Sequence, residues 1–402
     1  MASELKRKWP IVLACAIGIG VGIMALPYST VGLFIGPLES EFQWSRTAIS
    51  FGPALMLGIV AFLSPFSGWL ADRYSPLLII SISLSAVAAC FFMLANLGQD
   101  ISGFYIIFSI MAVTGAGAST VVFARIVCTS FFEQRGLALG LVMAGNGVTA
   151  IVSPITIGPI VLNSGWRQGY FTIGMVIVVA IPIILLLLRS REIKKATVVE
   201  SSGDGFFFHQ AVSSVSFWFL GIAFFLGTFA TTGMIIHLIP YLTDIGISPQ
   251  KAVSFASFIG FGLIFGRILT GWLMDKFIAN YVGAVMMLLS ALGLGLLATG
   301  ETQYAAIGAL AIGFCIGAEL DIIGYLTGKY FGMRSYGQIY GALYMLCAAG
   351  TAISPMFYGF VSDKSGSYNS GLAVGACMLV VSSLLLGILP RETLQTQSPA
   401  AS

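Results

Sequence analysis

Five ionisable side chains, Arg125, His237, Arg267, Glu319 and Asp321, each interrupt a long apolar run. A guanidinium offers a planar set of donors that matches a carboxylate, a carboxyl group in apolar surroundings can take up and release a proton, and an imidazole can relay one. In a helix Arg267 would lie ~12 Å from Asp275, eight residues on, and Arg125 ~10 Å from Phe132; His237 would lie ~10 Å from Asp244. Glu319 and Asp321 are two residues apart, a turn of ~200°, so they cannot both face one site. The charges also balance: two arginines against two acids. An arriving carboxylate would leave one negative charge in excess, which a single proton would cancel.

These residues need elements to hold them, and the composition says which. The 402 residues are 57% hydrophobic and 9% charged, whereas a soluble domain carries about a quarter charged residues. Stretches such as Leu77–Leu97 and Val282–Thr299 approach or exceed the ~20 residues that cross a bilayer core. Dividing the chain at polar, Gly and Pro breaks predicts twelve spans, near 10–38, 46–71, 77–97, 102–131, 135–162, 167–189, 214–243, 250–275, 281–299, 304–329, 336–361 and 370–389. The expected fold is an all-α membrane protein of two pseudo-symmetric six-helix bundles. Residues 1–189 form the N-terminal bundle, 190–213 a cytoplasmic linker and 214–402 the C-terminal bundle. An ionisable group at the centre of a span costs at least ~2.5–3.5 kcal/mol, which marks the five residues as candidates for a substrate or proton path.

The apolar segment from Pro10 to Pro37 is too long for a signal peptide and reads as a retained first span. Six cysteines lie singly inside apolar segments, a pattern of packing residues without metal spacing. Gly115-Ala116-Gly117-Ala118 follows no strand and precedes no Walker lysine, so it reads as small-residue packing, not a phosphate loop. Neither a cofactor nor a metal is expected, nor enzymatic activity, and a net charge of +3 gives no reason to expect a nucleic-acid partner. With the N-terminus inside, thirteen basic residues fall on the cytoplasmic side, among them Lys6, Arg7, Lys8, Arg73, Lys194 and Arg334. Only Arg46, Arg167, Lys251 and Lys364 fall outside. Both termini are therefore expected in the cytoplasm. A compact chain without a long glycosylated loop suggests a bacterial or archaeal inner membrane, the bacterial one being expected, and a monomer is expected.

Internal repetition is visible. Gly68-Trp69-Leu70-Ala71-Asp72-Arg73 returns as Gly271-Trp272-Leu273-Met274-Asp275-Lys276, and Ser153-Pro154 returns as Ser354-Pro355. Repeated halves with a site between them are a common construction of secondary transporters. Proline at Pro27 should bend the first span, which makes Tyr28 and Ser29 candidates for the site's lining. Asn146, between Gly145 and Gly147, fits close helix packing or a polar contact, and Tyr325, Tyr340 and Tyr344 could supply hydroxyl groups.

The Gly-x-Leu-(small)-Asp-Arg sequence ending at Arg73, its weaker echo ending at Lys276, and Gly165-Trp166-Arg167 resemble the major facilitator superfamily over the full chain. Within it, Gly266-Arg267 and His237-Leu238-Ile239-Pro240-Tyr241-Leu242 resemble the monocarboxylate-transporter and oxalate–formate-carrier branch. The resemblance implies that Arg267 receives a substrate carboxylate and that Asp72, Arg73, Asp275 and Lys276 are gating residues. It also implies alternating access. The oxalate carriers' second cation has no counterpart near Leu343-Tyr344, so a monocarboxylate is expected over a dicarboxylate. The expected function is transport of a small organic monocarboxylate, with Arg267 and Arg125 toward the anion and Glu319, Asp321 or His237 carrying a coupled proton. Anion exchange, or a drug or sugar carrier on the same fold, are the alternatives. Ser64 stands at the N-terminal counterpart of Arg267, so the anion and coupling chemistry is expected in the second half.

Overall fold

The computed structural model describes residues 4–188 and 205–389. In a bilayer each span must satisfy its own backbone hydrogen bonds, and helices do so locally. Twelve helical segments among the described residues are long and apolar enough to cross a membrane. Spans 1 to 6 are Glu4–Phe42, Ala48–Arg73, Pro76–Ala95, Ile101–Ser130, Arg135–Ser164 and Trp166–Leu188. Spans 7 to 12 are Val215–Ile235, Ser254–Lys276, Ala279–Ala298, Thr302–Phe331, Tyr336–Ser365 and Asn369–Ile388. The helix carrying span 7 runs on to Asp244, and that of span 8 begins at Pro249. The expected linker residues 190–204 lie outside the described residues. At its far end Phe206 N–H donates to the Phe331 carbonyl and a short helix follows, Phe208–Val212.

Several helix starts are written in the sequence as caps. Ser45 accepts from the Ala48 N–H, Asp100 from Ser102 and Ser214 from Phe217, each satisfying one of the donors that a helix start leaves without an internal partner. Gly165 joins spans 5 and 6 at φ 86° and Gly366 follows span 11 at φ 70°, a left-handed backbone that glycine adopts at no steric cost.

The chain divides into two compact units. Unit one comprises Met1–Phe132, Leu141–Gly203 and Tyr336–Gly341; unit two comprises Glu133–Gly140, Asp204–Ser335 and Ala342–Ser402. Within unit one span 3 packs on span 6, span 2 on span 4 and span 1 on span 6. Unit two repeats those neighbours six spans on: 9 with 12, 8 with 10, and 7 with 12. The Ser-Pro echo serves this repetition. The Ser153 hydroxyl lies 3.0 Å from that of Ser29, tying span 5 to span 1, and Ser354 Oγ accepts from the Gly233 N–H at 2.7 Å, tying span 11 to the helix of span 7.

The units differ in continuity. Span 1 is two helices, Glu4–Val21 and Leu26–Phe42, and span 4 is likewise Ile101–Gly115 and Thr120–Ser130 around a short 3-10 turn, Ala116–Ala118. The helices through spans 7 and 10 run unbroken over Val215–Asp244 and Ala305–Phe331. Pro27 was expected to bend span 1 where it stands. Instead the chain breaks just before it, and Pro27 sits in the first turn of the outgoing helix, where its missing N–H costs nothing.

Candidate functional site

The placement of Arg267 is decided by glycines on the two helices that carry it and Asp321. Gly262 and Gly266 on span 8 face Gly313 and Gly317 on span 10, four residues apart on each helix. A Cβ on Gly266 would stand 2.6 Å from the Phe314 carbonyl oxygen, and Gly262, Gly313 and Gly317 meet the carbonyls of Leu310, Ile259 and Leu263 more closely still. Small residues at this spacing let two helix backbones touch. Arg267, beside Gly266, is thereby set opposite Asp321, one turn beyond Gly317. Nη1 and Oδ1 lie 4.0 Å apart, with the residues 5% and 0% exposed.

At that distance the pair is attracted but not hydrogen-bonded. Arg267 Nε and Nη1, both Asp321 carboxylate oxygens and Thr270 Oγ1, one turn from Arg267, make no hydrogen bond. Buried polar groups in native proteins are nearly always paired, so five unpaired atoms on three neighbouring residues single this place out. Arg267 was expected to face a wet cavity. In the structure it lies beside Asp321 with 5% of its surface exposed.

The other buried acid points elsewhere. Glu319 Oε1 accepts from the Cys315 thiol at 3.3 Å and lies 2.8 Å from where a Cβ on Gly227 of span 7 would stand. The two acids therefore have different neighbours, as their angular separation requires. His237 is held between Tyr368 Oη and the Pro355 carbonyl, each at 3.1 Å. A carbonyl can only accept, so Nε2 carries the hydrogen and Nδ1 faces the tyrosine hydroxyl.

Arg125, expected near substrate, donates from Nε to Asp72 Oδ1 at 2.8 Å. Asp72 also accepts the N–H groups of Gly337 and Gln338 at 2.9 and 3.0 Å, so a carboxylate caps the first turn of span 11, where the helix dipole is positive. The repeat does the same in unit two: Asp275 accepts from Gly136 at 2.7 Å and Leu137 at 2.9 Å, at the start of span 5. Arg73 lies over the Trp69 ring and Lys276 over Trp272, 5.5 and 4.0 Å from the ring centres. Both six-residue repeats thus build one device, an acid on a helix start and a base folded back on its tryptophan.

Among the remaining candidates Tyr28 is 57% exposed while Ser29 pairs with Ser153. Asn146 Oδ1 is buried without a hydrogen bond. Tyr325, one turn beyond Asp321, and Tyr344 are half-buried. Tyr340 is fully buried in unit one with its ring 5.7 Å from Tyr336. The structure thus brings Arg267 and Asp321 together, and separately Arg125 and Asp72. Sequence reasoning missed Thr270, whose hydroxyl is of a kind common in apolar helices, and the facing glycines, whose four-residue spacing on two spans was a usable signal.

The sequence profile of the Major Facilitator Superfamily matches residues 17–355. The chain belongs to the Major Facilitator Superfamily. Among its superfamily relatives, an MFS-type transporter of Gibberella moniliformis is 25% identical, over 93% of this chain and 88% of its own. Monocarboxylate transporter 13 of Rattus norvegicus is 24% identical over 89% of this chain and 84% of its own. The fold is also that of the E. coli fucose:proton symporter FucP, with a TM-score of 0.65 at 17% identity, covering 95% of this chain and 98% of that one. Superfamily membership makes the protein an integral membrane transporter and not an enzyme.

Proposed function

We propose that the protein carries a small organic monocarboxylate by alternating access, coupled to one proton, with Arg267 receiving the carboxylate. The observation that carries this reading is the Arg267–Asp321 pair: a buried guanidinium 4.0 Å from its counter-ion, with Nε and Nη1 free of hydrogen bonds. Charge-assisted hydrogen bonds are stronger than neutral ones, and a substrate carboxylate can make them where Asp321 does not. Once the substrate holds Arg267, Asp321 is left buried without a cation, and taking a proton removes that cost. Glu319, turned toward Cys315 and Gly227, has no part in that exchange. The likeness to monocarboxylate transporter 13 supports the substrate class.

In this reading residues 1–189 and 214–402 are the two moving bodies, joined by a cytoplasmic linker over 190–213, with both termini in the cytoplasm. Asp72 and Asp275 serve conformational change, each by holding a helix start, and Arg125 acts through Asp72. The experiment is uptake of labelled acetate and lactate by proteoliposomes containing the wild type or Arg267→Lys. A lysine keeps the charge but loses the planar donors, so uptake should fall about tenfold or more, the worth of one charge-assisted hydrogen bond. Unchanged uptake would remove Arg267 from the substrate and favour a carrier of uncharged solutes.

A further inference from the structure

We propose that the break in span 4 is a second anion site, built inside unit one and independent of Arg267. It would take a small anion with hydrogen-bond-accepting character: a halide, or the carboxylate of a small organic acid. The break falls between Gly115 and Thr120, ~17–21 Å from either end of the span and so near the middle of the bilayer. Backbone interrupted at that depth has no water or lipid partner and is tolerated only where protein or a bound group satisfies it. The outgoing helix Thr120–Ser130 begins at Ser119, whose backbone is extended (φ −88°, ψ 167°).

A serine in this position normally folds its hydroxyl onto the first turn. Here it makes no capping hydrogen bond; Oγ is buried with no partner at all, on a residue 4% exposed. The Val122 and Phe123 N–H groups turn back to the Ser119 carbonyl, while the Ser119 hydroxyl stands unmatched at the positive end of a helix dipole, an end that binds anions elsewhere. The break in span 1 lies against it. A Cβ on Gly22 would stand 2.8 Å from the Ala118 carbonyl oxygen, and one on Gly115 would stand 2.6 Å from Ile23 Cδ1. The outgoing half of span 1, Leu26–Phe42, follows Gly22 and Ile23 in the chain, and its N-cap residue, Ala25, has no side chain able to cap. The one arginine on the outgoing half of span 4, Arg125, is already engaged by Asp72 and does not neutralise the site. Broken spans whose helix starts meet substrate anions are a known transporter device.

The test measures thermal stability of the purified full-length protein titrated with sodium bromide or sodium acetate, with sodium sulfate holding ionic strength. Saturable stabilisation gives an apparent Kd. The Arg267→Gln background removes the carboxylate site proposed above. In it, Ser119→Ala should weaken binding about fivefold, the worth of one hydrogen bond, while leaving the unliganded Tm unchanged because the hydroxyl bonds nothing. Thr120→Pro removes a first-turn donor at a position proline accepts, after a residue already extended, and should weaken binding as much again.

A response to bromide alone assigns the site to an inorganic anion; a response to acetate, to the transported carboxylate, a source that rests on the reading above. Unchanged affinity in Ser119→Ala overturns the inference, whether or not Thr120→Pro folds. If Arg267→Gln alone abolishes anion binding, the inference fails while the Arg267 reading stands. If anion binding responds to Ser119→Ala but uptake ignores Arg267→Lys, the reverse holds.

Discussion

Asp321 is the residue on which the account of coupling turns. It is fully buried, faces Arg267 at 4.0 Å and makes no hydrogen bond. Two carboxylates, its own and the substrate's, compete for one guanidinium, so protonating Asp321 should favour the substrate. Asp321→Asn fixes the neutral form. The wild type should then bind acetate more tightly as pH falls, by up to tenfold per unit in the limit of one linked proton, while the variant should bind equally across that range. Thermal stability titrated with acetate at two pH values measures this, and an equal pH dependence in both proteins would move the proton elsewhere. Both residues were legible in the sequence, because an ionisable group in an apolar span is conspicuous. Their partnership was not, since it depends on the rotational phase of two helices distant in sequence.

At the scale of the element, that phase is set by glycine. Gly262 and Gly266 against Gly313 and Gly317 leave no room for a side chain between spans 8 and 10. Leucine at Gly317 would meet the Leu263 carbonyl, a backbone atom that cannot swing aside. Overpacking of this kind costs about 1–3 kcal/mol, so Gly317→Leu should lower the apparent Tm by several degrees. Gly295→Leu on span 9, where a Cβ meets nothing within 4 Å, should leave it nearly unchanged. Equal melting of the two variants would show that the contact does not hold the helices. The twelve spans were readable from hydrophobicity, and Pro27 signalled that span 1 would deviate. The break in span 4 was not readable: Gly115-Ala116-Gly117-Ala118 is equally good small-residue packing, and only the extended backbone at Ser119 separates the two.

At the scale of the molecule, repetition was the most legible feature. The echo of Gly68–Arg73 in Gly271–Lys276 recurs as matching acids on helix starts, and the spans of each unit keep the same neighbours. The units are nevertheless chemically unequal. Unit two holds the Arg267–Asp321 pair and Glu319, whereas unit one holds the broken spans and pairs Arg125 with Asp72. The electroneutral exchange at Arg267 predicts what the whole carrier should do. In proteoliposomes with no internal anion, labelled acetate uptake should accelerate under an inward proton gradient and ignore an imposed membrane potential, because one proton and one carboxylate move together. Uptake that is unaffected by the pH gradient and demands an internal anion would contradict symport and make the protein an exchanger.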